Sequence, residues 1–252
     1  MLGFEAIKKH FEKSVLAHAY LFHGQDMIGK RTFAMELAGR LADSSDIFLM
    51  GHDIDSARDA KHFLSLSPLN GTKKIVIIDE ADKLTEEAQN ALLKFLEEPS
   101  ASSVIILVTS RPEALLATIS SRVQHIFFAS HPASVVHQFL ENKKLSEEQK
   151  KFLYEFSNGS IGLLARIEDF KSIKMIAEEF TAFAKADVNK RFDVAKKLAE
   201  DGALEQKILF WMLYLRSKKL YKPLPSLLTL YHTVSNPSFN KQLAIENFML
   251  GL

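Results

Sequence analysis

The hydrophobic pattern changes character once along the chain. Through residues 1–130, short all-apolar runs alternate with stretches of helical period, the arrangement of βαβ units that build a parallel sheet. Ala19-Tyr-Leu-Phe-His23 reads as a first strand, Lys74-Ile-Val-Ile-Ile78 and Val104 to Val108 as strands buried on both faces, and His125 to Phe128 as a fourth. Between them, Phe33, Ala34, Leu37, Ala38 and Leu41 recur at helical spacing over Lys30 to Leu41, and Asp55 to Leu66 reads as another helix. Leu69-Asn-Gly-Thr72 is a turn. Thr85 caps a helix with Glu86 and Glu87 in its first turn and an apolar stripe of Ala88, Ala91, Leu92, Phe95 and Leu96, ended by Pro99.

After Ser130 strand signals almost vanish. Ser146-Glu-Glu-Gln149 is a capping box whose helix should end near Asn158-Gly159, so 131–167 reads as a small helical unit. From 168 to 252 the period is helical throughout, interrupted at Lys222-Pro-Leu-Pro225 and Asn236-Pro237. The expected fold class is α/β, with a Rossmann-like parallel core at 1–130, a helical lid at 131–167 and an all-helical domain at 168–252.

Composition narrows the function classes. With 252 residues, 47% hydrophobic and 25% charged, the chain can build more than one core. It offers no apolar window near the ~18 residues of a membrane span, and Met1 to His10 is too amphipathic and charged for a signal peptide. No membrane and a cytoplasmic location are expected. A net charge of +1 gives no global field toward DNA, and the basic run Arg216 to Lys222 reads as a solvated helix face. The absence of cysteine excludes disulfides and Cys-held zinc, and no His pair has the spacing of a zinc protease.

Candidate chemistry begins at Gly24-Gln-Asp-Met-Ile-Gly-Lys-Arg-Thr32, between the first strand and the first core helix. It has the form of a phosphate loop, G-x-x-x-x-G-K-[ST], except that Arg31 fills the hydroxyl slot. Gly24 and Gly29 let backbone amides close on phosphate oxygens and Lys30 would reach the terminal phosphates. The missing hydroxyl is a ligand to Mg²⁺, a role a guanidinium cannot take, and Thr32 points elsewhere on the helix. Asp79-Glu80 ends an apolar strand in the manner of a Walker B motif: Asp79 for Mg²⁺, Glu80 for the attacking water. Thr109, at the end of the next strand, would lie beside them and sense a γ-phosphate. Arg122, on a loop after the core strands, can project across a subunit boundary as an arginine finger does; without the surrounding motifs it reads as an ordinary surface arginine.

These residues resemble the AAA+ subunits of the bacterial DNA polymerase III clamp loader, over nearly the whole chain. The resemblance is carried by His18-Ala-Tyr-Leu-Phe22, by the run from Lys74 through Asp-Glu-Ala-Asp82 and Leu-Glu-Glu-Pro99, by Ser121-Arg122, where the family has Ser-Arg-Cys, and by Gln242 to Asn247. It implies an ATPase core, a lid and a C-terminal helical collar joining a five-subunit ring with the ATPase motor subunits and delta. That ring opens a sliding clamp and loads it on primer-template DNA, as part of a DNA polymerase holoenzyme. Within such a ring the resemblance implies a stator, with Arg122 serving a neighbour's ATP site. Three departures bear on this: the family's Cys₄ zinc module is absent, so no zinc is expected; Gly162 stands where motors carry a sensor-2 arginine; and Arg31 replaces the hydroxyl. A true ATPase motor remains the alternative, with Lys30, Asp79, Glu80 and Thr109 retained and ATP or ADP with Mg²⁺ as cofactor. A phosphate-loop kinase of small molecules is disfavoured because 131–167 offers only Arg166. The aromatic trio Phe210, Trp211 and Tyr214 reads as core rather than interface; an oligomeric role would call for an apolar patch there.

Overall fold

A computed structural model of the chain describes residues 3–141, 143, 145–167, 170–235 and 239–251. The break expected at Asn236-Pro237 lies outside these residues, as do Met1 and Leu2 of the expected amphipathic start and Glu168 and Leu252, the ends of the third expected segment. Contacts divide the chain into two compact units: Met1–Phe139 with Gly159–Gly162, and Leu140–Asn158 with Leu163–Leu252.

The first unit begins with helix α1 (Glu5–Lys13), strand β1 (Ala19–Gly24), helix α2 (Lys30–Leu41), strand β2 (Ile47–Leu49) and helix α3 (Ile54–Ser65). Strand β3 (Lys74–Ile78), helix α4 (Glu86–Glu97), strand β4 (Ser103–Thr109), the short helix α5 (Ala117–Ser120) and strand β5 (Gln124–Phe128) follow. The five strands form one parallel sheet in the order β2-β3-β4-β1-β5. Alternate strand residues feed two cores. Leu21, Val76, Ile78, Ile105 and Leu107 pack with α3 and α4 on one face. Tyr20, Phe22, Ile75, Ile77, Ile106 and Phe128 pack with α2 and the inner side of α1 on the other. Burial on both faces is why these strands read as unbroken apolar runs rather than alternating ones.

The expected caps are present. Thr85 accepts a hydrogen bond from the Ala88 amide at 3.2 Å. Strand β2 was not foreseen: only three residues long, it follows a tight turn whose Asp46 is fully buried. Asp46 accepts hydrogen bonds from the Leu69 and Asn70 amides and pairs with Lys74 Nζ at 3.1 Å, so the turn after α3 is tied to the start of β3.

Helix α6 (Ala133–Glu141) runs from the first unit into the second, and α7 (Glu147–Ser157) belongs to the second. Ser146 and Gln149 form both halves of the capping box, and Asn158 ends α7 in the left-handed region at φ 51°. Helix α8 (Ile161–Arg166) is followed by α9 (Phe170–Ala184), α10 (Val188–Ala199), α11 (Leu204–Ser217), α12 (Leu224–Val234) and α13 (Lys241–Leu250). The last five helices share a core of Phe180, Phe183, Ile208, Trp211, Leu230 and Ile245 among others. Trp211 is fully buried and donates its indole N–H to Ile176 O at 3.1 Å, while Phe210 packs edge-on to Phe156. Phe210 and Trp211 are therefore core. The apolar patch an oligomeric role would call for is not formed by them; large exposed apolar side chains lie instead on Leu228 of α12, on Leu243 and Leu250 of α13, and on Phe239 just before it. The basic run is a correction too: Arg216 and Ser217 close α11, but Lys218 to Lys222 leave it in a turn. No helix among the described residues is long and apolar enough to cross a membrane.

Candidate phosphate-loop site and its outlying arginine

The loop between β1 and α2 needs its glycines for backbone geometry. Gly24 has φ 143° and Gly29 φ 103°, and a Cβ on Gly24 would strike the Phe128 carbonyl on β5. Met27 also takes a positive φ, 58°, without being glycine. The loop is strapped from outside by the segment before α8 and by the residue after β5's exit. Ser160 Oγ donates to Met27 O at 2.7 Å, His131 Nε2 lies 3.0 Å from Ile28 O, and Ser130 Oγ donates to Gln25 Oε1 at 3.0 Å. Gly162 approaches so closely that any Cβ there would collide with the Met27 carbonyl. None of these straps is visible in the local sequence, because they join positions more than a hundred residues apart.

Each charged group of the expected site has an internal partner. Lys30 is buried and donates Nζ to Gly24 O at 2.8 Å and Gln25 O at 2.7 Å; burial lowers its pKa, with Asp26, Asp79 and Asp82 opposing. Arg31 turns to Asp79, Nη1 to Oδ2 3.3 Å. Thr32 is exposed on α2. Glu80 sits in the left-handed region at φ 48° and pairs with Lys83 at 2.9 Å. Strands β3 and β4 are neighbours, as the reading of Thr109 requires. Its hydroxyl, however, donates to Asp82 Oδ1 at 2.6 Å, and the side chain is 2% exposed. Asp82 also receives Nε and Nη2 of Arg111 at 3.0 and 2.6 Å on its other oxygen. Burial raises the Asp82 carboxyl, but Thr109 and Arg111 outweigh it and its pKa lies below the usual carboxylate range. Asp82 and Arg111 were missed by sequence reasoning, although Asp82 stands inside the Asp-Glu-Ala-Asp string and could have been found from it.

Magnesium does not fit this arrangement. It demands oxygen ligands in octahedral geometry, whereas the hydroxyl slot holds a guanidinium, whose Nη1 lies 3.3 Å from Asp79 Oδ2.

Arg122 stands apart from the loop, between α5 and β5, and is exposed. Its Nη2 meets Glu97 Oε1 at 3.0 Å, where α4 ends, and Nη1 donates to Thr118 O at 3.0 Å. The base beneath it is tied to α4: the buried side chain of Gln89 accepts through Oε1 from the Leu116 amide at 2.8 Å, where α5 begins. Neither Glu97 nor Gln89 was singled out from sequence.

Residues 50–132 match the sequence profile of a family described as DNA polymerase III, delta subunit. The delta-prime subunit of DNA polymerase III from Bacillus subtilis is 31% identical over 173 residues, 58% of this chain and 53% of that protein. This chain resembles the delta-prime subunits. The tau subunit of the same organism is 29% identical over 199 residues, covering 67% of the chain and 34% of tau. The chain thus spans about half the length of its delta-prime relative and about a third of tau. A gamma-subunit-related protein of DNA polymerase III from Thermotoga maritima superposes with a TM-score of 0.61 at 22% identity, covering 98% of this chain and 97% of its own. The chain shares the fold of that protein: a Rossmann-like parallel core followed by a helical C-terminal region. The profile match runs from just before α3 through β5 and takes in Asp79, Glu97, Thr109 and Arg122.

Proposed function

We propose that this chain is a clamp-loader subunit of a DNA polymerase III holoenzyme and works there as a stator. It lends Arg122 to the ATP site of a neighbouring motor subunit while the ring loads a sliding clamp on primer-template DNA in the cytoplasm. One observation carries this reading: the chain's own loop holds Arg31, paired with Asp79, in the slot of the magnesium ligand, whereas Arg122 sits at the surface outside that loop, held there by Glu97 and the Thr118 carbonyl. An arginine finger stabilises charge that develops on a transferring phosphoryl group, and it needs both rigidity and access. In this reading residues 1–130 form the core, 131–167 the lid and 168–252 the collar that joins the motor subunits and delta.

The resemblance to tau supports a second reading, an ATP-hydrolysing motor using Lys30, Asp79, Glu80 and Thr109. One experiment separates the two. In the assembled complex, Arg122→Ala is expected to lower DNA-stimulated ATPase by about 10³-fold, the scale of other arginine fingers, with assembly unchanged on gel filtration. Glu80→Gln in the same complex is expected to leave the rate unaltered. The opposite pattern, with Glu80 needed and Arg122 dispensable, would establish the motor.

A further inference from the structure

The Arg31–Asp79 pair does more than record the loss of a hydroxyl. We propose that Arg31 is a built-in substitute for the divalent cation, and that its charge beside Asp79 keeps Mg²⁺ out of this site. The inference rests on the non-motor reading of the loop and adds its cause.

Position 31 follows the loop lysine, on the first turn of α2, and Asp79 follows the last residue of β3. In a metal-using phosphate loop these two positions supply a hydroxyl and a carboxylate to the same ion. Here the slot that would hold the hydroxyl oxygen holds a cation, and that cation touches Asp79 Oδ2 at 3.3 Å. The two positions are thus close enough to share an ion, yet their charges already satisfy one another. A guanidinium has no lone pair to offer a metal and does not deprotonate in a protein, so no accessible pH converts the slot into a ligand. A divalent ion entering beside Asp79 would meet a fixed like charge and would have to displace it.

The rest of the loop keeps the form of a phosphate loop. Gly24 and Gly29 keep their positive φ angles, Lys30 stays at the base of the loop, and Asp79 remains at the strand end. Arg31 is 62% exposed in its side chain, so replacing it removes little packing. The exclusion is therefore reversible by one substitution: a hydroxyl at position 31 supplies one oxygen and releases the other.

The test uses the full chain with Mn²⁺ as metal probe and a non-hydrolysable ATP analogue at saturation. Protein-bound Mn²⁺ is read from water proton relaxation, with the analogue alone as blank. Wild type is expected to retain no Mn²⁺ above the blank. Arg31→Thr and Arg31→Ser, each checked for a native melting curve, are expected to retain about one ion per chain. Wild type binding Mn²⁺ would overturn the proposal, as would hydroxyl variants that fold normally yet bind none. Arg31→Ala removes the charge without supplying the oxygen and should bind at least tenfold more weakly than Arg31→Thr; equal binding would overturn the hydroxyl's part. These outcomes are read on the isolated chain by metal retention, so failure here is distinct from failure of the Arg122 test, which is read on a neighbour's ATPase.

Discussion

Lys74, which opens β3, is only 2% exposed, at a position that ordinarily belongs to an apolar side chain. It is tolerated because Asp46 meets it at 3.1 Å and the Phe63 ring lies 3.9 Å beneath it, so charge and stem are both accommodated. Removing one partner of such a buried pair strands the other charge. Lys74→Met should therefore cost about 3–5 kcal/mol in urea unfolding, far more than the lost attraction alone. The Leu69 amide, against the opposing effect of burial and joined by the Asn70 amide and Lys74, holds the Asp46 carboxyl below its usual range. A pKa lowered by folding contributes stability above the unfolded value of about 3.9, and that contribution fades as pH falls through the folded value. The urea midpoint should accordingly drop in acid below about pH 4 in wild type. In Asp46→Asn that part of the acid dependence should disappear; an unchanged acid limb would rule the pair out as its source.

At the scale of elements, two helical glycines answer differently to the same substitution. Gly39 lies within α2 with open space where a Cβ would stand, so Gly39→Ala should gain up to about 1 kcal/mol from backbone propensity. Gly162 lies within α8 against the Met27 carbonyl, so Gly162→Ala should lose about 1–3 kcal/mol through overpacking despite the same propensity gain. Matched melting curves of the two variants check the contrast, and equal shifts would mean the strap on the loop is loose. From the chain alone the two glycines look alike, and this marks where sequence reading stops. Strands β1, β3 and β4 were legible because burial on both faces leaves an unbroken apolar run, and the capping box at Ser146 because its two halves are three residues apart. Strand β2 was not, since three residues carry no period and their place depends on Asp46 reaching forward to Leu69. The site divides the same way. Gly24, Lys30, Arg31 and Asp79 follow from motif spacing, while the partners that engage Thr109, Arg31 and Arg122 depend on which strands and helices become neighbours.

For the whole molecule, a net charge of +1 supplies no field of its own for DNA, so the proposed role depends on joining other subunits. Large exposed apolar side chains are spread along the chain, and one group of them lies near the C-terminal end. Leu243 and Leu250 of α13 are 56% and 59% exposed and sit seven residues apart, two turns along one helix face. The opposite residues Ile245, Phe248 and Met249 hold α13 in its own core. The outer side thus carries Leu243 and Leu250 with Glu246 and Asn247 between them, a mixed surface of the kind that partner interfaces use. Because Leu243 is exposed, Leu243→Glu should shift the stability of the isolated chain by no more than about 0.5 kcal/mol. In a reconstituted loader the same change places a charge in the proposed collar interface, where burial without a partner is costly, and co-elution with the other subunits should fall by at least tenfold. Undiminished assembly would leave α13 without an interface role and move the search to Phe239 and Leu228. A parallel loss of monomer stability would instead make Leu243 part of the fold, which its exposure argues against.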